Sequence, residues 1–185
     1  DTYDYYHMFF LQPDIDEFRD RYGAILDDKI RRGDVEAGKV VFKRFLLRMK
    51  ETTNRVHNLL AKEFDFTKEE RFLPNRHEQG WPADEAAADD LWRKRIKWEL
   101  LGDRLRIKEG AEEEKRTEAV EKAKERIGKR YDRLARMYHK YDSSEVLEAY
   151  LTALGRTFDP HSSYMAPEAA ENFNIHNVSM QLTGI

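Results

Sequence analysis

Apolar positions recur at steps of three and four along most of this chain, the period of helices with one face turned inward. Ile15, Phe18, Tyr22, Ile25 and Leu26 predict a first helix from Pro13 to Arg32. Proline suits its first turn, and Gly33 suits its stop. Asp14, Asp16 and Glu17 complement the positive end of its dipole; Lys29, Arg31 and Arg32 complement the negative end. Asp34 is the expected cap of a second helix reaching Phe64, with Val41, Phe45, Met49, Val56, Leu60 and Phe64 on one stripe and Thr52 and Thr53 at its middle. At about 1.5 Å per residue it would exceed about 40 Å and form the spine of the domain. A third helix is predicted over Ala83 to Lys108, its inner face built from Leu91 or Trp92, Ile96, Leu100 and Leu105, with Gly110 closing it. A fourth spans Glu112 to Tyr141, where Val120, Ala123, Ile127, Tyr131, Leu134, Tyr138 and Tyr141 alternate steps of three and four. A fifth starts at a cap among Asp142, Ser143 and Ser144, carries Val146, Leu147, Tyr150, Leu151 and Leu154, and must end before Pro160.

Three stretches depart from this period. Asp1 to Gln12 is rich in aromatics, and Phe9 and Phe10 are costly to expose, so they should pack on the helices. Asp65 to Pro82 holds Pro74, Gly80 and Pro82 and reads as a long loop tacked down by Phe64, Phe66, Phe72 and Trp81. After a short helix from Pro167 to Phe173, Val178, Met180 and Leu182 alternate with Ser179, Gln181 and Thr183, a strand signal without a second strand to pair with. The expected fold class is therefore all-α: a multi-helix domain with one very long helix, ending in a short orphan β-strand over Asn177 to Thr183.

Composition narrows the function classes. Charged residues are 37 % of the 185, well above the roughly 25 % of an ordinary domain, as long helices with wet faces require. Aromatics at 12 % supply a core that a disordered chain would lack. The net charge of −3 offers no basic excess for nucleic acid. No apolar run is long enough to span a membrane. Without cysteine there is no disulfide, thiol nucleophile or thiolate metal site. The chain opens at Asp1 without methionine or a signal-like leader, which leads us to expect a piece of a longer protein whose export signal has been removed.

Candidate chemistry is sparse. Asp159, His161 and Ser162 or Ser163 contain the residue types of a catalytic triad, but triad members converge from separate segments, and neighbours in sequence point apart. A turn is the plainer reading: Pro160 sets φ while Asp159 and the serines bond nearby backbone. No two of the six histidines lie three or four apart, so no HxxH or HExxH helix site exists, and His139 is expected on the wetter side of its helix. Glu112, Glu113 and Glu114 complement a helix dipole rather than a metal. There is no glycine-rich phosphate loop and no GxSxG elbow. We therefore assign no catalytic, cofactor-binding or metal-ligating residue to any position, and no cofactor.

Four segments carry a family resemblance. "MFFLQPDIDEF" (Met8 to Phe18), "LLAKEFDFTKEE" (Leu59 to Glu70), "GWPADEAAADDLWRKRIKWELL" (Gly80 to Leu101) and "FDPHSSYMAP" onward (from Phe158) resemble, in order, the amino-terminal helical region of carboxy-terminal processing proteases, the tail-specific proteases. Gln181-Leu182-Thr183 departs from the family's Ser-Leu-Glu run. The resemblance implies a non-catalytic helical domain over residues 1–176 and the start of a PDZ and protease region over 177–185. It implies a whole protein that is a serine endopeptidase with a lysine base, both lying beyond Ile185, exported to the periplasm or its equivalent. Its partners would be its own PDZ and protease domains, protein substrates with apolar carboxy-termini, and an adaptor protein. The isolated chain would be inactive. A stand-alone, adaptor-binding helical module is the alternative, disfavoured because such a module has no reason to finish on an unpaired strand.

Overall fold

The computed structural model describes residues 2–107 and 112–182, with side chains through Ile175. Among the described residues the chain is all-helical: α1 (Gln12–Tyr22), α2 (Leu26–Arg31), α3 (Glu36–Leu60), α4 (Glu85–Leu105), α5 (Glu113–His139), α6 (Ser143–Gly155) and α7 (Pro167–Leu182). α3 is central and touches α1, α4, α5 and α6, and α4 packs on α5.

Two cores lie along α3. Val56 meets Trp92, Ile96 and Leu100 of α4 and Val120, Ala123, Ile127 and Tyr131 of α5, with Met8 laid across them. Toward the other end, Phe42, Phe45 and Met49 meet Phe10 and, from α6, Val146. Trp92 is 2 % exposed, as its place on the inner stripe predicts; its Nε1 donates to the Met8 carbonyl at 2.9 Å. Phe9 and Phe10 pack against Phe45, so the aromatic amino-terminus is a strap across the helices. Tyr5 and Tyr6 of the same strap stay exposed and pack edge-on to each other.

Several boundaries differ from the sequence reading. The first helix is broken at Gly23 to Ile25 into α1 and α2, because glycine and alanine add no buried side chain there to hold a continuous helix. Gly33, at φ 74°, takes the left-handed turn that ends α2. α3 starts after Asp34, whose carboxylate accepts the Glu36 N–H at 3.0 Å, and it stops at Leu60, leaving Phe64 to the loop. α3 has 25 residues and α5 has 27, so the longest helix is the latter, and two long helices share the role expected of one. Leu105, expected on the inner face of α4, is exposed in its last turn. Gly110 and the end of the third predicted helix at Lys108 lie outside the described residues. Asp142 caps α6, accepting from the Ser144 and Glu145 amides.

The orphan strand is the main correction. Over Asn177 to Leu182 the chain continues α7 rather than extending, and Thr183 lies outside the described residues. Alternation favours a strand only where an edge can take its N–H and C=O groups; with no strand among the described residues, helical hydrogen bonds satisfy them locally. α6 crosses α3 at Gly38, where a Cβ would lie 2.7 Å from the Tyr150 ring, so only glycine permits this contact.

Candidate functional site

The residues quoted in the first three motifs come together around α4, and what they build is a tethered loop with a groove beneath it. The tether begins at Asp4, 2 % exposed, whose carboxylate accepts the amides of Met8 (2.7 Å), Phe9 (3.0 Å) and Phe10 (3.0 Å) and the Trp81 Nε1 (3.1 Å). One buried carboxylate thus ties the amino-terminal strap to the end of the loop that runs from Ala61 to Asp84. His7 stacks on Trp81 at 3.7 Å with its Nδ1 2.5 Å from the Gln79 carbonyl, and it holds a left-handed φ of 52°. The Gln12 N–H donates to the Pro82 carbonyl at 2.8 Å, closing the junction.

The middle of the loop is held by Glu70. It accepts from Arg93 (2.6 and 3.1 Å) and from Lys97 Nζ (2.6 Å), which also donates to the Lys68 carbonyl at 2.8 Å. Hydrogen bonds from Arg93 first, then Lys97, hold the Glu70 carboxyl down at about 2. Arg93 and Lys97 lie one turn apart on α4, so a single helix face supplies both cations.

Asp14 of the first motif is 1 % exposed and joins α1 to α3 through Arg44 and Arg48. Burial alone would raise its carboxyl, but bonds from Arg48, the Leu11 amide and Arg44 outweigh that and lower it. Arg48 donates to Asp14 at 2.7 and 3.1 Å and reaches Glu85 at 2.6 Å; Glu85 accepts Arg55 at 2.5 Å. The network therefore clamps α1, α3 and the start of α4 into one unit.

Between the loop and α4 lies an open groove of about 1060 Å³. Phe72 and Leu73 form its loop side, and Leu91, Trp98 and Leu101 its helix side. The Phe72 and Trp98 rings are 5.7 Å apart. Arg76 stands in its lining; its Nη2 donates to the Gly80 carbonyl at 3.0 Å, while its Nε is buried without a hydrogen-bond partner. Burial pushes the Arg76 guanidinium below its usual value, with Asp4 attracting it the other way.

The residues weighed as a triad form the turn that the sequence suggests. The Asp159 carboxylate accepts the His161 N–H at 3.0 Å and the Ser162 Oγ–H at 3.3 Å, and the Asp159 carbonyl accepts the Ser162 N–H at 2.9 Å. Asp159, His161 and Ser163 are exposed. His139 is exposed, and Glu112 to Glu114 are exposed at the start of α5. Among the described residues no group of three or more His, Asp or Glu is placed to hold a metal ion, and no helix is long and apolar enough to cross a membrane. Glu70, Arg76 and Asp4 were not singled out from the sequence. The spacing of Arg93 and Lys97 on one helix face hints at a shared acidic partner but does not say that it is Glu70, and nothing local points to Arg76 or Asp4.

On both sides of the turn, large apolar side chains face outward. Phe158 is 86 % exposed, and Tyr164, Met165, Phe173 and Ile175 are exposed with it.

The profile of the tail-specific protease N-terminal domain matches residues 1–168. A tail-specific protease of Haemophilus influenzae is 31 % identical over 182 residues, which is 98 % of this chain and 25 % of that protein. The chain thus spans about a quarter of the length of this curated relative.

Proposed function

The chain belongs to the tail-specific protease N-terminal domain family, and on that premise we propose that it is the non-catalytic helical domain of a carboxy-terminal processing endopeptidase. The match over residues 1–168 carries this reading. In it, residues 1–176 are the helical domain and 177–185 begin the PDZ and protease region. The serine nucleophile and lysine base lie in that region, and no position of this chain takes part in the chemistry. The whole protein is exported to the periplasm or its equivalent, acts on proteins with apolar carboxy-termini and accepts an adaptor.

The helical domain positions the PDZ and protease domains and shapes access to the active site. The five large apolar side chains left exposed between Phe158 and Ile175 support that role, because such surface suits a covering neighbour. The clamped helices support it too, since a positioning element has to be stiff.

The test compares the full-length protein with the 185-residue chain on an unfolded protein ending in apolar residues. The full-length protein should cleave and the chain alone should not. Cleavage by the chain that survives careful removal of contaminating proteases would sink the assignment. For positioning, Phe158→Ser with Phe173→Ser in the full-length protein should lower cleavage while leaving the melting temperature of the 185-residue chain unchanged.

A further inference from the structure

A second groove, of about 510 Å³, runs between the amino-terminal strap and the carboxy-terminal half of α5. Tyr3, Tyr5 and Tyr6 line it from the strap, and Leu134, Met137 and Tyr138 from α5. Its rim stays in water: Tyr5 is 55 % exposed, Tyr6 45 % and Met137 43 %. α4 contributes Arg95 to the lining, and α5 contributes Arg130 and Arg133. Tyrosine, methionine and arginine with few acids is the composition that marks the centre of a protein–protein interface.

Charge says what the partner carries. From Lys129 to Lys140 there are five cations and one acid, in a chain whose net charge is −3. That acid, Asp132, is engaged with His57 of α3 at 2.8 Å. Glu99 is shared: its Oε1 meets Arg95 and its Oε2 meets Arg130, each at 2.6 Å, so one carboxylate serves two guanidiniums. Asp4, the one acid in the lining, spends its oxygens on three amides and an indole. Arg133, Arg136 and Lys140 are exposed, and among the described residues none of them has an ion pair or a side-chain hydrogen bond. Arg133, Met137 and Lys140 follow steps of four and three, so an exposed apolar side chain sits between two cations on one side of the end of α5. Helix stability does not explain this row. Arg130, Arg133, Arg136 and Lys140 are like charges at steps of three and four, which weaken a helix. The helix dipole favours cations in the last turn, and Arg130 and Arg133 lie before it.

We propose that this groove and the basic end of α5 bind an acidic segment of a second protein, its apolar side chains between Tyr5, Tyr6 and Met137 and its carboxylates beside Arg133, Arg136 and Lys140. A lipid surface or a free anion would match the charge alone. Apolar groups held between cations at helical spacing match a partner in which both kinds of group are fixed in register. The proposal goes beyond the positioning role above, which rests on Phe158 to Ile175. Its test reads binding by this chain rather than cleavage by a protease, so the two can fail separately.

A sixteen-residue helical peptide with a leucine stripe flanked by glutamates, acetylated and amidated at its ends, is labelled with rhodamine, titrated into the 185-residue chain and followed by anisotropy. The expected dissociation constant at low salt is on the order of tens of micromolar. It should rise at least about tenfold in about 0.5 M salt. The same peptide with glutamine for glutamate should bind at least about tenfold more weakly. Arg133→Gln with Arg136→Gln and Lys140→Gln should weaken the glutamate peptide by a similar factor. The same loss of charge at three exposed cations elsewhere, Arg32→Gln with Lys62→Gln and Arg71→Gln, should leave its affinity within about twofold. Tyr5→Ser with Met137→Ser should weaken both peptides. Circular dichroism and a melting curve check that each variant is folded. Hydrogen exchange on the unsubstituted chain needs no variant: the glutamate peptide should slow exchange at the end of α5 and in the strap. The proposal is overturned by absent binding, by equal binding of the two peptides, by an equal loss in the variant with the three cations elsewhere, or by protection confined to other helices. Retention on anionic vesicles without binding of the peptide would assign the face to a lipid surface and overturn it as well.

Discussion

The stretch from Ala61 to Asp84 and the stretch from Arg156 to Ala166 each follow a helix, each contain proline and each carry large apolar side chains. In the first, Trp81 donates to a buried carboxylate, Glu70 is gripped by two cations of α4, and Pro82 is buried. In the second, the polar groups bond within a few residues of themselves or back to Thr152, and Phe158, Tyr164 and Met165 face water. The difference lies in where the partners sit. Partners far along the chain make the first stretch part of this domain's own fold, while local partners leave the second stretch free to be finished by another surface.

Substitutions in and around the two stretches test that contrast. The largest effect should come from Trp92→Ala, which removes the floor on which the strap and its tether rest and should cost roughly 3–5 kcal/mol; an unchanged melting temperature would refute burial. Next comes Asp4→Ala, which strands the amides of Met8, Phe9 and Phe10; with water entering the emptied site the loss should be about 1–3 kcal/mol in all. Urea denaturation should show the loss, and hydrogen exchange should show it at those three amides first.

A smaller effect is expected of Glu70→Gln, and it should depend on pH. The carboxyl is held near 2 in the folded chain against 4.5 when free, so its contribution is complete above about pH 4.5 and disappears as pH falls toward 2. The variant should melt a few degrees below the parent at neutral pH, with the gap closing in that acid window. A gap independent of pH would mean that Glu70 acts by packing alone. The smallest effect belongs to the other stretch: Phe158→Ser should change the stability of the 185-residue chain by less than about 0.5 kcal/mol. Deleting residues 177–185 should likewise leave its melting temperature nearly unchanged; unfolding on deletion would put that segment in this domain's core.

The helices were legible because their stripes, caps and stops are local. Phe45, Met49 and Val56 on α3, and Val120, Ala123 and Ile127 on α5, are buried where their spacing puts them, and Asp142 caps where a cap was needed. The break at Gly23 was not legible, since glycine inside a helical pattern is tolerated as often as it interrupts. The alternation after Asn177 misled because a strand is defined by its partner, and period two in one segment cannot supply one. The groove and its tether were illegible for the same reason at longer range. Asp4 and Trp81 are 77 positions apart, and Glu70 and Lys97 are 27 apart. Nothing in either neighbourhood signals which distant residue completes it. Acidic residues on amphipathic helices read as solvated faces, and Asp14 was hidden among them until α3 brought Arg44 and Arg48 against it.

The contact between Gly38 and Tyr150 determines where the chain is heading when it leaves the bundle. α6 rests on α3 at a point where a side chain has been omitted, so its inclination follows from an absence. A methyl group at position 38 would meet the Tyr150 ring and lever α6 outward, and the levered helix would carry Phe158 and everything after it to a new bearing. The buried helices would lose little, since Val146 is the one α6 residue in their core. The missing side chain at Gly38 thus sets how closely α6 lies on α3, and with it the starting direction of the segment from Phe158 onward.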